Sequence, residues 1–264
     1  MPFIVVLFLG VILVHPVLIT IGNIELYSYG FMIGLGVILG LIIASKRMEQ
    51  AGLNPDDFFS FFVIIIICGI VGGRLIHVVL NKSSYPTFKS VLDLREGGFA
   101  IHGVLLGGLL GSLAYCIAKR VRPGTLLDII VPSVALGQSL GRIGCFLNGC
   151  CYGIPTNGNW GVQTRYAPGL RHPYQLYESA ADFLLFLGLM RLSKKTDTRG
   201  VVTLAYVFGY SLIRFSLEFF RDSEKILFGL SSAQWLSLVL LAASLLLYLL
   251  VKKRTAKTVN EVSS

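Results

Sequence analysis

The run Gly137-Gln-Ser-Leu-Gly-Arg-Ile-Gly-Cys-Phe-Leu-Asn-Gly-Cys-Cys-Tyr-Gly153 decides how this chain is read, because it sets a guanidinium, Arg142, inside an otherwise apolar stretch from Leu126 to Leu147. Arginine cannot shed its proton, and at membrane depth it costs roughly 2.5–3.5 kcal/mol even on a lenient scale. Such a residue faces a wet cavity or an anion, unless it is a structural cation that snorkels or pairs near a span end.

The rest of the chain makes the membrane reading general. Hydrophobic residues make up 54% of it and charged residues only 14%; the mean hydropathy is +0.73, outside the range of a soluble domain. Apolar stretches near the roughly 20 residues that cross a bilayer run from Tyr27 to Ser45, Phe58 to Leu80, Gly98 to Ala118, Leu126 to Leu147, Tyr174 to Leu192, Val201 to Phe220 and Ala233 to Val251. The predicted fold is therefore an all-α polytopic membrane protein with seven transmembrane helices. The stretch from Pro2 to Ile21 is also apolar, but His15 and Pro16 interrupt it and no Lys or Arg precedes it as in a signal peptide. It is either an eighth span or an interfacial helix.

Lys46 with Arg47, Lys119 with Arg120 and Arg122, Lys194 with Lys195 and Arg199, and the group Lys252, Lys253, Arg254 and Lys257 fall at alternate ends of the seven stretches. By the positive-inside rule these clusters mark the cytoplasm. The first span then starts outside, and the C-terminus is cytoplasmic. The organisation expected is an N-terminal apolar segment (1–26), a seven-helix transmembrane domain (27–251) with outer loops at 81–97, 148–173 and 221–231, and a short, disordered basic tail (252–264). The net charge of +9 is taken up by topology and anionic headgroups, so no nucleic-acid partner is expected.

Topology gathers the polar residues. At 1.5 Å per residue, Arg142 and Arg74 each lie about 24 Å, and Arg214 about 20 Å, from the inner ends of their spans. Tyr29 and His102 lie near the outer starts of theirs. Five polar side chains on five spans thus share one leaflet. Glycines 103, 107 and 111, and the pairs 30 and 34, 36 and 40, and 137 and 141, repeat the spacing that lets helices pack closely. Gly97 and Gly98 differ, because they precede a span and could offer backbone N–H groups to an anion. Arg214, Glu218 and Arg221 are spaced i, i+4, i+7, either an ion-pair ladder or a clamp with donors to spare for phosphate. Of the five cysteines, Cys68 and Cys116 read as small apolar residues. The Cys-x4-Cys-Cys spacing of Cys145, Cys150 and Cys151 matches zinc pairs poorly, so no metal is expected; a disulfide among them stays open.

Tyr29-Gly-Phe-Met, Gly72-Gly-Arg-Leu75, Gly97-Gly-Phe-Ala-Ile-His-Gly103, Gly141-Arg-Ile-Gly-x-Phe-Leu-Asn-Gly149 with Tyr152-Gly153, Arg171-His-Pro-Tyr-Gln-Leu-Tyr-Glu178 and Arg214-x3-Glu218-Phe-Phe-Arg221 resemble, in order and spacing, the prolipoprotein diacylglyceryl transferases of bacteria. The resemblance runs from about Pro16 to Val251. It implies a seven-helix enzyme of the bacterial cytoplasmic (inner) membrane that opens to the outer leaflet. Such an enzyme moves the diacylglyceryl group of phosphatidylglycerol onto the lipobox cysteine of a preprolipoprotein and releases glycerol phosphate. The partners implied are that lipid, the lipobox signal peptide and the bilayer, and the reaction needs no metal or organic cofactor. By resemblance, the catalytic residues are His102, Arg142 and Arg214. Tyr29, Arg74, Gly98, Asn148, Gly153, Glu218 and Arg221 are expected at the substrate, with Asp128 and Glu178 in support.

The chain departs from the family where many members carry Asn, here Cys145, and where Glu commonly follows the Asn-Gly pair, here Cys150 beside Cys151. The intact arginine, histidine and Arg-His-Pro motifs favour tolerance at those positions over a different acceptor or control by oxidation. The competing class, a transporter with an arginine-lined anion path, would need polar residues through both leaflets, and the inner halves of the spans carry few.

Overall fold

The structure, a computed structural model, describes residues 14–263 except 23, 83–84, 86, 94–97 and 197. Most of the N-terminal apolar segment, residues 1–13, lies outside the described residues. The chain forms two compact units, one made of Met1–Ile43 and Ile130–Ser264 and the other of Ala44–Ile129.

In the larger unit the chain opens with an antiparallel hairpin, β1 (Val17–Ile21) and β2 (Ile24–Tyr27). This corrects two expectations: the fold is not purely α, and the N-terminal segment is strand from Val17. The reason is local. β-branched Val17, Ile19, Thr20 and Ile21 suit a strand, and Gly22 takes the turn at φ 61°. Helix α1 (Ser28–Gln50) starts directly after β2, where buried Ser28 is tied through its backbone N–H to Pro16 O at 2.8 Å and through Oγ to His15 O at 2.5 Å.

Helix α5 (Pro123–Asn148) carries Arg142. Where α1 meets α5 within this unit, a Cβ on Gly36 would stand 3.3 Å from Gly137 Cα, and one on Gly144 would stand 3.1 Å from Met32 Cβ. The helix-packing reading holds there, whereas Gly30 and Gly34 face open space. Helix α6 (Tyr174–Leu192) reproduces the predicted span residue for residue. Helix α7 (Val201–Leu217) ends in a 3-10 turn, Glu218–Phe220. Val131 and Ala135 of α5 form a small core with Leu189 and Val202.

Helix α8 runs from Ser232 to Ser263, so the backbone beyond Lys252 is helical, correcting the disordered tail expected there. No Gly or Pro interrupts residues 252–263, so nothing in the backbone chemistry stops the helix there. The segment between α5 and α6 holds a second hairpin, β3 (Val162–Thr164) and β4 (Ala167–Arg171).

The smaller unit is built on α2 (Pro55–Leu80), the short α3 (Phe88–Leu92) and α4 (Ile101–Lys119). The stripe expected at Gly103, Gly107 and Gly111 is the contact surface. A Cβ on Gly103 or Gly107 would overlap the carbonyl of Gly72 or Cys68 on α2, and one on Gly111 would stand 2.9 Å from Cys68 Sγ. Backbones this close are the usual result of small residues at one-turn spacing.

Among the described residues, five helices are long and apolar enough to cross a membrane: Ser28–Gln50, Phe59–Leu80, Pro123–Asn148, Val201–Phe220 and Ser232–Lys253. Helix α6 has the length but carries Glu178, Asp182 and Arg191, and both acids are fully buried inside the protein.

Candidate active site

The site is built on Glu178, in the second turn of α6, whose carboxylate has no solvent exposure. Arg142 Nη2, from α5, lies 2.9 Å from Glu178 Oε1, and Arg214 Nη1, from the last turn of α7, lies 3.7 Å from the same oxygen. One buried acid therefore sits between the two arginines singled out from sequence. A lone buried charge would be costly, and two cations beside one carboxylate offset much of that cost while leaving guanidinium donors unspent.

Arg214 is held further by Glu218 Oε2 at 2.9 Å, one turn on, and it donates a hydrogen bond to the hydroxyl of fully buried Tyr174. Arg221 Nη1 lies 3.8 Å from the same Glu218 oxygen, and its guanidinium sits 5.9 Å from the centre of the Tyr174 ring. Ser231 Oγ donates to Glu218 Oε1 at 2.9 Å. Gln234 fixes that serine by accepting from its backbone N–H at 2.9 Å. The i, i+4, i+7 ladder is thus real, and the start of α8 buttresses it. Arg142, Arg214 and Arg221 keep 20%, 12% and 25% of their side-chain surface exposed, so each cation is anchored on one side and accessible on another.

Of the other predicted positions of this unit, Tyr29 and Gly153 lie against elements that carry the cluster. A Cβ on Gly144, two residues after Arg142, would stand 3.2 Å from Tyr29 Cδ2, which places Tyr29 against the same part of α5. Asn148, the last residue of α5, accepts from Arg165 Nη2 at 3.2 Å. Gly153 pairs with Arg221 as an isolated antiparallel bridge. A Cβ there would lie 2.7 Å from both His172 O and Phe220 O, so only glycine fits. Ile154 N–H donates to Phe220 O and His172 N–H to Ile154 O, at 2.9 and 3.0 Å. Arg171 reaches Asp222 at 2.5 Å. The segment after α5 is in this way sewn to the end of α7.

Cys145, Cys150 and Cys151 bring their sulfurs within 4.8 Å of one another, a grouping their spacing did not suggest. Beyond the end of α5, the Cys151 thiol is pushed well below the usual thiol range. The Cys145 thiol hydrogen-bonded to it is the largest cause, with the Arg221 and Arg142 guanidiniums adding to it and burial opposing.

In the smaller unit Arg74 gives its Nε–H to Val91 O at 2.8 Å and its Nη donors to Ser90 O, Asp93 O, Gly98 O and the Tyr85 hydroxyl, at 2.6–3.2 Å. Gly98 takes φ 83° while its carbonyl accepts from Arg74. The Asp128 carbonyl accepts from Arg47 Nη2 at 2.9 Å. His102 lies in the first turn of α4 by its backbone, and its side chain lies outside the described residues, as does Gly97.

Sequence reasoning did not single out Tyr174, Asp182, Ser231 or Gln234. Asp182 is fully buried, and among the described residues its carboxylate oxygens have no hydrogen-bond partner. A signal existed for two of them. Asp182 follows Glu178 by one turn, and Tyr174 precedes it by one, so all three share a helix face.

Fold and site define a polytopic helical membrane protein with a cationic centre anchored on buried carboxylates. Residues 16–250 match the pattern of the family described as prolipoprotein diacylglyceryl transferase. Among similar proteins, the phosphatidylglycerol–prolipoprotein diacylglyceryl transferase of Clostridium tetani is 38% identical over 84% of this chain and 92% of its own length. A second such transferase from Clostridium perfringens is 35% identical over 90% and 96%, and that of Clostridioides difficile 32% over 92% and 97%. The chain belongs to the prolipoprotein diacylglyceryl transferase family.

Proposed function

We propose that this chain transfers the diacylglyceryl group of phosphatidylglycerol to the lipobox cysteine thiol of a preprolipoprotein and releases glycerol phosphate, the first step of bacterial lipoprotein maturation. The observation that carries this reading is the placing of Arg142 and Arg214 at 2.9 and 3.7 Å from one buried oxygen of Glu178, with part of each arginine side chain still exposed. Family membership supports it.

The thiol sulfur attacks the glycerol carbon that bears the phosphate ester. A C–S bond forms, the C–O bond breaks, and its electron pair leaves on the phosphate. Negative charge grows on that phosphate as the bond breaks, so two guanidiniums fixed beside it stabilise the transition state more than the ground state. Because their anchors are already made, little reorganisation is needed when substrate arrives. The thiol, with a free pKa of about 8.5, gives its proton to His102, whose type titrates near neutral pH.

Tyr29, Asn148, Gly153, Glu218 and Arg221 line or shape the substrate site. Arg74 and Gly98 are further substrate residues by the same reading, while Glu178 and Asp128 support. Helices α1, α2, α4, α5, α6, α7 and α8 are the seven spans. The basic clusters face the cytoplasm, and the site opens to the outer leaflet of the bacterial cytoplasmic membrane.

The test is a purified-protein assay with phosphatidylglycerol and a synthetic lipobox peptide, read as the mass gain of the peptide cysteine. A His102→Gln variant with full activity would remove the base role. Failure of the chain to restore lipoprotein modification in cells depleted of their own transferase, despite membrane expression, would point to another acceptor.

A further inference from the structure

Three cysteines of the stretch that follows Arg142, Cys145, Cys150 and Cys151, meet in space. Their sulfurs lie within 4.8 Å of one another, although the motif separates Cys145 from Cys150 by four residues. The backbone is shaped to bring them together. Gly149 and Cys151 take φ 79° and 56°, and the second is a left-handed conformation that costs a residue with a Cβ roughly 1–2 kcal/mol. The turn is fixed by bonds that do not involve the thiols. Cys150 N–H donates to Cys145 O at 3.1 Å, Gly149 N–H to Phe146 O at 3.0 Å, and Gln175 Nε2 to Cys150 O at 2.6 Å. A strained residue held in place by its surroundings is a common sign of a built site.

We propose that Cys145, Cys150 and Cys151 form a binding site for one thiophilic d10 metal ion, Zn(II) or Cu(I). A disulfide would use two of the three sulfurs and leave the convergence of the third unexplained, whereas a soft ion takes all three. At M–S distances of about 2.3 Å, three thiolates on one ion stand about 3.8–4.0 Å apart, so the observed trio closes onto an ion by side-chain rotation without rebuilding the turn. Binding displaces the thiol protons to solvent. Three thiolates carry more negative charge than either ion neutralises, and Arg142, three residues before Cys145, supplies part of the balance. A three-sulfur site also leaves a fourth position on Zn(II) open to water or an incoming ligand.

The experiment uses the full chain in detergent, reduced with a phosphine, stripped with a chelator, and dialysed against Zn(II) or, anaerobically, Cu(I). The expected result is about one ion retained per chain by the wild type and by a Cys68→Ser/Cys116→Ser variant, with loss in Cys145→Ser and Cys151→Ser. Co(II) loading should give a thiolate-to-metal charge-transfer band in the near ultraviolet. Retention of Cu(I) alone supports the site and assigns it to the monovalent ion. For variants that fail to fold, maleimide labelling of the wild type followed by peptide mapping replaces them, and the metal should protect these three cysteines and not Cys68. No retention by the reduced wild type, retention by Cys145→Ser/Cys151→Ser, or labelling unchanged by metal would overturn the proposal. None of these readouts depends on transferase activity, so the site and the proposed function stand or fall separately.

Discussion

Glu178 Oε1 stands 2.9 Å from Arg142 Nη2, with the glutamate side chain fully buried and the arginine side chain one-fifth exposed. The anion is enclosed while the cation keeps some exposed surface, so Glu178 acts as an anchor and Arg142 as the group left to meet a ligand. Glu178→Gln keeps the shape and removes the charge. Breaking a buried pair by deleting one partner costs about 3–5 kcal/mol. The expected outcome is a clear drop in thermal unfolding temperature in detergent together with a fall in kcat. A stable variant with unchanged kcat would show that the anchor is dispensable.

Arg142→Lys tests geometry against charge. Lysine keeps the cation and loses the planar fork that can hold Glu178 with one edge and an anion with the other. Removing one preorganised donor from a transition-state anion typically costs about 10²–10³ in rate. The lysine variant is expected to fall in that range, read in the lipid-to-peptide assay, and Arg142→Ala should be no better.

The packing of α2 on α4 predicts a sharp contrast among glycines. Gly107→Ala would drive a methyl into the Cys68 carbonyl, and Gly103→Ala into that of Gly72. Backbone cannot yield as a side-chain tip does, so both should destabilise by several times the 0.5–1 kcal/mol that a mid-helix alanine would otherwise return relative to glycine. Gly34→Ala and Gly188→Ala, with nothing within 4 Å, should be neutral or stabilising. Unfolding temperatures of the four variants in one detergent check the ranking.

The depressed Cys151 thiol predicts a chemical signature. A thiol with a lowered pKa keeps its thiolate as the pH falls below the usual value of about 8.5. Alkylation of reduced, metal-free protein by iodoacetamide at pH 6.5 should therefore label Cys151 ahead of Cys68 and Cys116. Replacing the largest cause, as in Cys145→Ala, should move the pH profile of Cys151 labelling upward.

The helices were legible from sequence because a span is written locally, as a run of apolar residues of fixed length. Tyr174 to Leu192 and Val201 to Phe220 were readable to the residue. Arg142 and Arg214 were equally visible, since a charge in such a run stands out wherever its partner is. What was not legible is pairing across helices. Glu178 appeared only as a motif position, because nothing in its own helix tells that arginines from α5 and α7 meet on one oxygen. The two hairpins escaped for the opposite reason: strands of three to five residues are too short for their alternation to stand out from an apolar or loop background. The cysteines show the same limit, since their grouping depends on a left-handed residue, Cys151, that no propensity would place there.

The stitching of the segment after α5 to the end of α7 has a mechanical consequence. To lift that segment away, the chain would have to break the bonds from Ile154 N–H to Phe220 O and from Asp222 N–H to Tyr152 O together with the Arg171–Asp222 pair. At about 1 kcal/mol net for each backbone bond, these ties bias the segment toward the end of α7, and the Gly153 position, where a Cβ would lie 2.7 Å from Phe220 O, sets how close the two backbones stand. Arg221 is therefore held from two directions, by the backbone bridge to Gly153 and by Glu218, so the spacing of that guanidinium from its neighbours is set by chain segments on both sides of α6.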